Sequence, residues 1–250
     1  MIRGALYFIW LAISVIPYAT VILIASIFIR GRPLYRIALG YLIQITFAAR
    51  VFGGIRYRVH GRENLPSADS MEPLIICPKH QSTWETFALP TLMTHPLGYV
   101  FKKELLMIPF FGWAMGRLDM VHIDRSKRTE AWSKVAAQGK ALMNKGVWII
   151  MFPEGTRTER GSQGAYKTGA SRLAVATGAS IVPIAVTSAR CWPRRSFKMK
   201  PGVIDVSIGA PIASEGRRAD ELMKEVEAWI ESEMERLDPE AYPQVAASAS

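Results

Sequence analysis

The stretch Val147-Trp148-Ile149-Ile150-Met151-Phe152 is apolar at every position, and Pro153-Glu154-Gly155 stops it. A strand with one wet face alternates apolar and polar residues; a strand covered on both faces does not. This stretch therefore predicts a strand inside a sheet with helices on either side. Its flanks agree. Residues 129–144 carry Trp132, Val135, Ala136 and Leu142 near helical spacing, with Gly146 just past the end. Residues 168–177 predict the next helix, closed by Gly178.

The same reading extends outward. Ile55, Tyr57 and Val59 alternate with Arg56, Arg58 and His60, as in a half-exposed strand. Residues 74–77 form a short apolar strand ended by Pro78, and 82–93 a helix disturbed by Pro90. Strands follow at 97–101 and 120–123, with a partly helical stretch, broken near Pro109, between them. Further strands are expected at 181–186 and 203–208, then an amphipathic helix at 219–237 with Leu222, Val226, Trp229, Ile230 and Leu237 on one face. Strands alternating with helices imply an α/β fold with a mostly parallel central sheet covered by helices. The expected units are a helical segment at 1–52, an α/β domain at 53–240 and a flexible tail at 241–250.

Half of the 250 residues are hydrophobic, which excludes a disordered chain. Two cysteines, Cys77 and Cys191, exclude a disulfide-dense scaffold and a four-cysteine zinc site. The net charge of +10 calls for an anionic partner. Its distribution narrows the choice. Residues 1–62 hold eight Arg and no acid, whereas 214–250 hold ten acids against four bases. No continuous basic stripe with interleaved aromatics is present, so a nucleic-acid partner is not expected.

The Arg of the first part flank apolar helices. Residues 4–29 carry no charge and exceed the ~20 apolar residues that a bilayer requires. Arg30, Arg32 and Arg36 follow and should face the cytoplasm. Pro17 should kink or break this helix. A second apolar stretch, 37–49, is too short to span alone. Two geometries remain: one span followed by an interfacial helix, or a helical hairpin dipping into one leaflet. A cleaved signal peptide fits less well, because the apolar run is too long and no small-residue cleavage site precedes the Arg cluster. The expected location is a membrane, with the body on the cytoplasmic side against an anionic surface.

Two segments carry chemistry. In Cys77-Pro78-Lys79-His80-Gln81-Ser82-Thr83-Trp84-Glu85, His80 follows a buried strand, and ligands of open α/β sheets bind at the carboxyl ends of strands. Residues five apart do not share a face of one helix. With His80 in the loop and Glu85 in the first helical turn, the two can meet, and the carboxylate would hold the imidazole tautomer that accepts a proton. The structural alternative is a Ser82-x-x-Glu85 capping box. A metal site is disfavoured, since His60, His95 and His122 lack ligand spacing with His80. A covalent route through Cys77 or Ser82 lacks a third partner.

The second segment is Phe152-Pro153-Glu154-Gly155-Thr156-Arg157. Its turn offers backbone N–H groups, Thr156 and the planar fork of Arg157 to an anion. Lys167, ahead of a helix, and Arg125, after a strand, can add charge at the same sheet edge. The Walker pattern for nucleotide phosphates is missing.

Together these residues resemble the glycerolipid acyltransferases. His80 to Glu85 is similar to their H-x4-D block, with Glu in place of Asp. Ile108-Pro109-Phe110-Phe111-Gly112-Trp113 through Ile123-Asp124-Arg125 is similar to the second block, and Phe152 to Arg157 matches the third, F-P-E-G-T-R. Ile181-Val182-Pro183-Ile184 is similar to the fourth. The resemblance implies acyl transfer from acyl-CoA or acyl carrier protein to the sn-2 hydroxyl of lysophosphatidic acid, giving phosphatidic acid. His80 would be the general base and Glu85 its orienting partner. Glu154, Gly155, Thr156, Arg157, Arg125 and Lys167 would form the acceptor site. No metal or redox cofactor is implied. Another lysolipid or glycerol-3-phosphate is the alternative acceptor. A non-catalytic anionic-lipid-binding protein is the alternative of a different class.

Overall fold

The computed structural model of the chain describes residues 2–123 and 128–242. Seven strands form one sheet: β1 (Ile55–His60), β2 (Leu74–Pro78), β3 (Leu97–Lys102), β4 (Val121–Ile123), β5 (Trp148–Ile150), β6 (Ser180–Val186) and β7 (Gly202–Ile208). They lie in the order β1-β7-β6-β2-β5-β3-β4. Neighbours are parallel except β6 and β7, which are antiparallel. The expected α/β class with a mostly parallel sheet is what the chain adopts.

The pleat sorts side chains to two faces. Leu74, Ile76, Ile150, Val182 and Ile184 point to one face, where they meet α3 (Trp84–Leu92) and the N-terminal helices. Ile75, Cys77, Ile149 and Ile181 point to the other. They meet α5 (Arg128–Met143), α6 (Gly169–Thr177) and α7 (Ala219–Leu237). Both faces are therefore dry, which is why β2 and β5 are apolar throughout.

β5 ends at Ile150, short of the 147–152 expected. The last ladder bond runs from Met151 N–H to the Ile76 carbonyl, and the chain then turns so that Phe152 faces His80. α3 begins at Trp84, not Ser82, because the backbone N–H groups of Gln81 and Ser82 are turned onto Glu85. Pro90 sits inside α3 without ending it. The stretch around Pro109 holds only a 3₁₀ turn and the five-residue α4 (Phe111–Met115).

The first 53 residues form α1 (Ile2–Phe28) and α2 (Arg32–Gly53). Pro17 does not break α1. It removes one backbone hydrogen bond in a helix held along its length by neighbours, with Tyr7, Ala19 and Ile22 buried. The helices are antiparallel, since Tyr18 meets Tyr41 while Trp10 meets Phe52. Leu34 and Ile45 are fully buried, worth about 1.5–3 kcal/mol each.

The hairpin is not a detached appendage. Tyr7 and Phe8 pack edge-on against Trp192 of the body. Gly4 lies against the Phe197 carbonyl, where any Cβ would overlap it. Farther along, Ala19 and Ile22 share a small core with Ala114 of α4. Tyr242, within the expected tail at 241–250, is buried and reaches Gln81 in the loop after β2.

Candidate active site

β2 and β5 are adjacent and parallel, with Ile76 level with Ile150. Their carboxyl ends therefore deliver His80 and the Phe152–Arg157 turn side by side, although the two segments are more than seventy residues apart in sequence. Glu154 Oε2 accepts the backbone N–H of His80 at 2.7 Å. The His80 carbonyl accepts the N–H of Thr158 at 2.8 Å and its hydroxyl at 3.2 Å. The turn thus grips the His80 peptide from both ends.

The imidazole is fixed as firmly. Its ring stacks on Phe152, with centroids 3.8 Å apart and planes inclined by 22°. His80 Nδ1 lies 3.0 Å from Glu85 Oε1. That same oxygen accepts the N–H groups of Gln81 at 2.7 Å and Ser82 at 2.6 Å. With two backbone N–H groups already donating to it, this oxygen meets Nδ1 as an acceptor, and the tautomer with its proton on Nδ1 satisfies the contact and leaves Nε2 its lone pair. The Glu85 side chain is fully buried, whereas that of His80 is 16% exposed. The ring therefore reaches the surface with its carboxylate partner sealed behind it. Pairing with His80 and closure of the helix start are not alternatives, because one oxygen does both.

Arg157 Nη1 donates to Thr83 Oγ1 at 2.6 Å, which sets its guanidinium at the entrance to α3, beside the His80 loop. Gly155 turns with φ 67°, and a Cβ there would press on Lys167 Nζ. Thr156 and Lys167 are exposed on the same rim. Arg125 lies outside the described residues.

Glu154 departs from its expected role at the acceptor. It is buried, and its two oxygens go to Lys79 and the His80 N–H. It shapes the loop and has no free face for a substrate. The covalent alternatives also fail on geometry. Cys77 points into the core of the opposite face, where burial pushes its thiol well up, with Glu154 adding to the effect. Ser82 is buried and its Oγ accepts the Trp84 N–H. Among the described residues, no group of three His, Cys, Asp or Glu converges as metal ligands.

Residues 56–187 match the acyltransferase family, a span that contains every residue of this site. The chain belongs to the acyltransferase family. The 1-acyl-sn-glycerol-3-phosphate acyltransferase of Pseudomonas aeruginosa is 38% identical over 95% of this chain and 92% of its own. The chloroplastic 1-acyl-sn-glycerol-3-phosphate acyltransferase LPAT1 of Arabidopsis thaliana is 30% identical over 78% of this chain and 54% of its own. The crystal structure of the 1-acyl-sn-glycerophosphate acyltransferase from Thermotoga maritima superposes with a TM-score of 0.78, covering 94% of both chains at 24% identity. That last likeness shows a shared fold.

Several residues of this acyltransferase's site escaped the sequence reading. Phe152 was read as the end of a strand, yet its ring is the platform for His80. Thr83 and Thr158 look like ordinary polar residues, and each holds one side of the site. Lys79 directly precedes His80 and is completely buried. A lysine at such a position is the one signal that could have been found from sequence, since a buried ammonium demands paired acids.

Proposed function

We propose that this acyltransferase moves a fatty acyl group from a thioester, acyl-CoA or acyl carrier protein, to the sn-2 hydroxyl of lysophosphatidic acid. The observation that carries the reading is the outward-facing Nε2 of His80, backed by Glu85 and flanked by Arg157. Nε2 takes the hydroxyl proton as the oxygen attacks the thioester carbonyl. Glu85 stabilises the imidazolium that forms, and the stacked Phe152 ring face favours the same cation. The carbon–sulfur bond then breaks, and the imidazolium proton passes to the departing thiolate. The products are phosphatidic acid and the free thiol carrier, with no metal or redox cofactor. The activity for which these relatives are named supports the acceptor. A matrix of thioester donors against lysophosphatidic acid, glycerol-3-phosphate and other lysolipids tests it. Transfer to lysophosphatidic acid is expected to dominate; a preference for another acceptor would replace that choice.

Arg157 is the phosphate ligand in this reading, with Lys167 as further positive charge at the rim. A charge-assisted hydrogen bond is worth about 1.5–3 kcal/mol, so Arg157→Ala should raise the acceptor's KM roughly 10- to 100-fold. The thioester's KM should stay close to normal. An effect confined to the thioester would remove Arg157 from the acceptor site.

The acyl chain has a place to go. An apolar cavity of about 220 Å³ lies between the hairpin and the sheet, walled by Ala19, Ala38, Thr86, Phe87, Tyr99 and Ala114 among others. Thr86 and Phe87 directly follow Glu85, which joins this cavity to the catalytic helix. Filling it with Ala114→Phe should shift transfer toward shorter acyl chains, read by comparing rates along a series of thioesters. An unchanged chain-length profile would show that the chain lies elsewhere.

The hairpin suits a membrane surface. α1 is about 40 Å long and apolar enough to cross a bilayer by length and composition. Yet both its ends rest on the body, at Trp192 and at Ala114, which supports the one-leaflet hairpin over a free span. Its outer face shows Ile9, Ile13 and Ile24, continued by Ile43 and Phe47 of α2. The arginines around these helices suit anionic lipid of the inner membrane's cytoplasmic leaflet.

A further inference from the structure

Lys79 is completely buried, and its ammonium touches two acids from distant parts of the chain. Nζ lies 3.0 Å from Glu154 Oε1, in the turn after β5, and 2.6 Å from Glu231 Oε1, in α7. It also donates to the Ser162 carbonyl at 3.2 Å. The Tyr166 hydroxyl donates to the same Glu231 oxygen at 2.6 Å. Glu154 in turn accepts the His80 N–H through its other oxygen. The chain of contacts runs from α7 through Lys79 and Glu154 to the peptide of the base.

We propose that Lys79 is a positioning residue for the acyl transfer: with Glu231 it keeps Glu154 ionised, and ionised Glu154 holds the His80 main chain in its reactive place. This rests on the reading of His80 as the base. A carboxylate accepts a backbone N–H far more strongly than a neutral acid does. Glu154 is buried, so without a cation beside it the neutral form wins. Burial raises the Glu154 carboxyl above its ordinary value even with Lys79 opposing, and Glu231 adds to the rise. Burial works against the ammonium too, but Glu154 and Glu231 outweigh it and Lys79 stays charged. Glu231 is needed for that balance, since one buried ion pair scarcely offsets the desolvation of both partners. The other groups near this cluster are Tyr166, Tyr242 and Cys77, which stay neutral at physiological pH because burial pushes each upward.

The test is the pH dependence of kcat in Lys79→Met and in Lys79→Met/Glu231→Gln, with folding checked by melting. The double variant conserves net charge and avoids leaving two acids face to face. In Lys79→Met, kcat should fall by as much as roughly 100-fold at neutral pH, as displacement of a reacting group predicts, with the acceptor's KM little changed. The acid limb of kcat should move to higher pH, because Glu154 then needs a higher pH to ionise. The double variant should show a smaller displacement in the same direction. Lys79→Met/Glu154→Gln should lose the displacement, since position 154 no longer titrates. A wild-type-like pH profile in folded variants overturns the proposal, as does failure of both Lys79→Met and the double variant to fold, which would make Lys79 purely structural. Loss of the underlying reading looks different: there His80→Ala keeps its turnover, while all comparisons among the Lys79 variants remain measurable.

Discussion

His80→Ala should lower turnover by roughly 10²- to 10⁴-fold, the range for removal of a general base. The loss should sit in kcat, with the acceptor's KM nearly unchanged, because the imidazole contributes mainly as the hydroxyl proton moves. Melting should change little. The His80 ring is partly exposed, and its removal leaves Glu85 Oε1 with the N–H groups of Gln81 and Ser82. The Glu154 contact is to the backbone, so it too survives the substitution. Initial rates at saturating lysophosphatidic acid and thioester, paired with a melting curve, check both halves. Near-normal turnover would overturn the general-base role. A large melting loss would mean that the ring is chiefly a packing element on Phe152.

The legible part of this molecule is the part whose causes are local. β5 could be read because burial on two faces demands unbroken apolar residues at 148–150, and α7 because its apolar positions recur at helical spacing. The H-x4-E and F-P-E-G-T-R segments could be read because a turn at a strand end constrains residue types over a few positions. What stayed hidden depends on residues far apart. Nothing near Lys79 announces Glu231, which lies 152 positions later on the amphipathic helix of the acid-rich C-terminal stretch. The family resemblance places Glu154 in the acceptor site; only the neighbouring strand shows that its oxygens are already occupied. The length of α1 and α2 was masked by charge and by Pro17. Arg32, Arg36 and Arg50 were read as ends of apolar runs, yet all lie within α2. Strand order has the same character: the sequence pattern predicts parallel strands but does not say that β5 inserts between β2 and β3, and that insertion creates the site.

Glu85 should show the second large effect, and its variants separate its two jobs. Glu85→Gln keeps an oxygen for the N–H groups of Gln81 and Ser82 but loses the charge that holds the imidazolium. Its turnover should fall by up to roughly 10⁴-fold, the scale on which an orienting carboxylate matters, with a modest loss in melting. Glu85→Ala removes the acceptor as well. Two buried N–H groups are then left without partners, at about 1–3 kcal/mol each, so melting should fall clearly as well as rate. Glu85→Asp is the informative intermediate. The family pattern has Asp here, but one methylene fewer draws the carboxylate back by about 1.5 Å. In this chain three donors converge on the Glu85 oxygen at 2.6–3.0 Å, a loop shape fitted to the longer side chain. Glu85→Asp should therefore keep the charge and yet lose part of the rate, landing between wild type and Glu85→Gln. Equal rates for Asp and Glu would show that the loop relaxes freely around either acid. A Gln variant as active as wild type would mean that Glu85 serves the helix start alone, and that the imidazolium finds its counter-charge elsewhere.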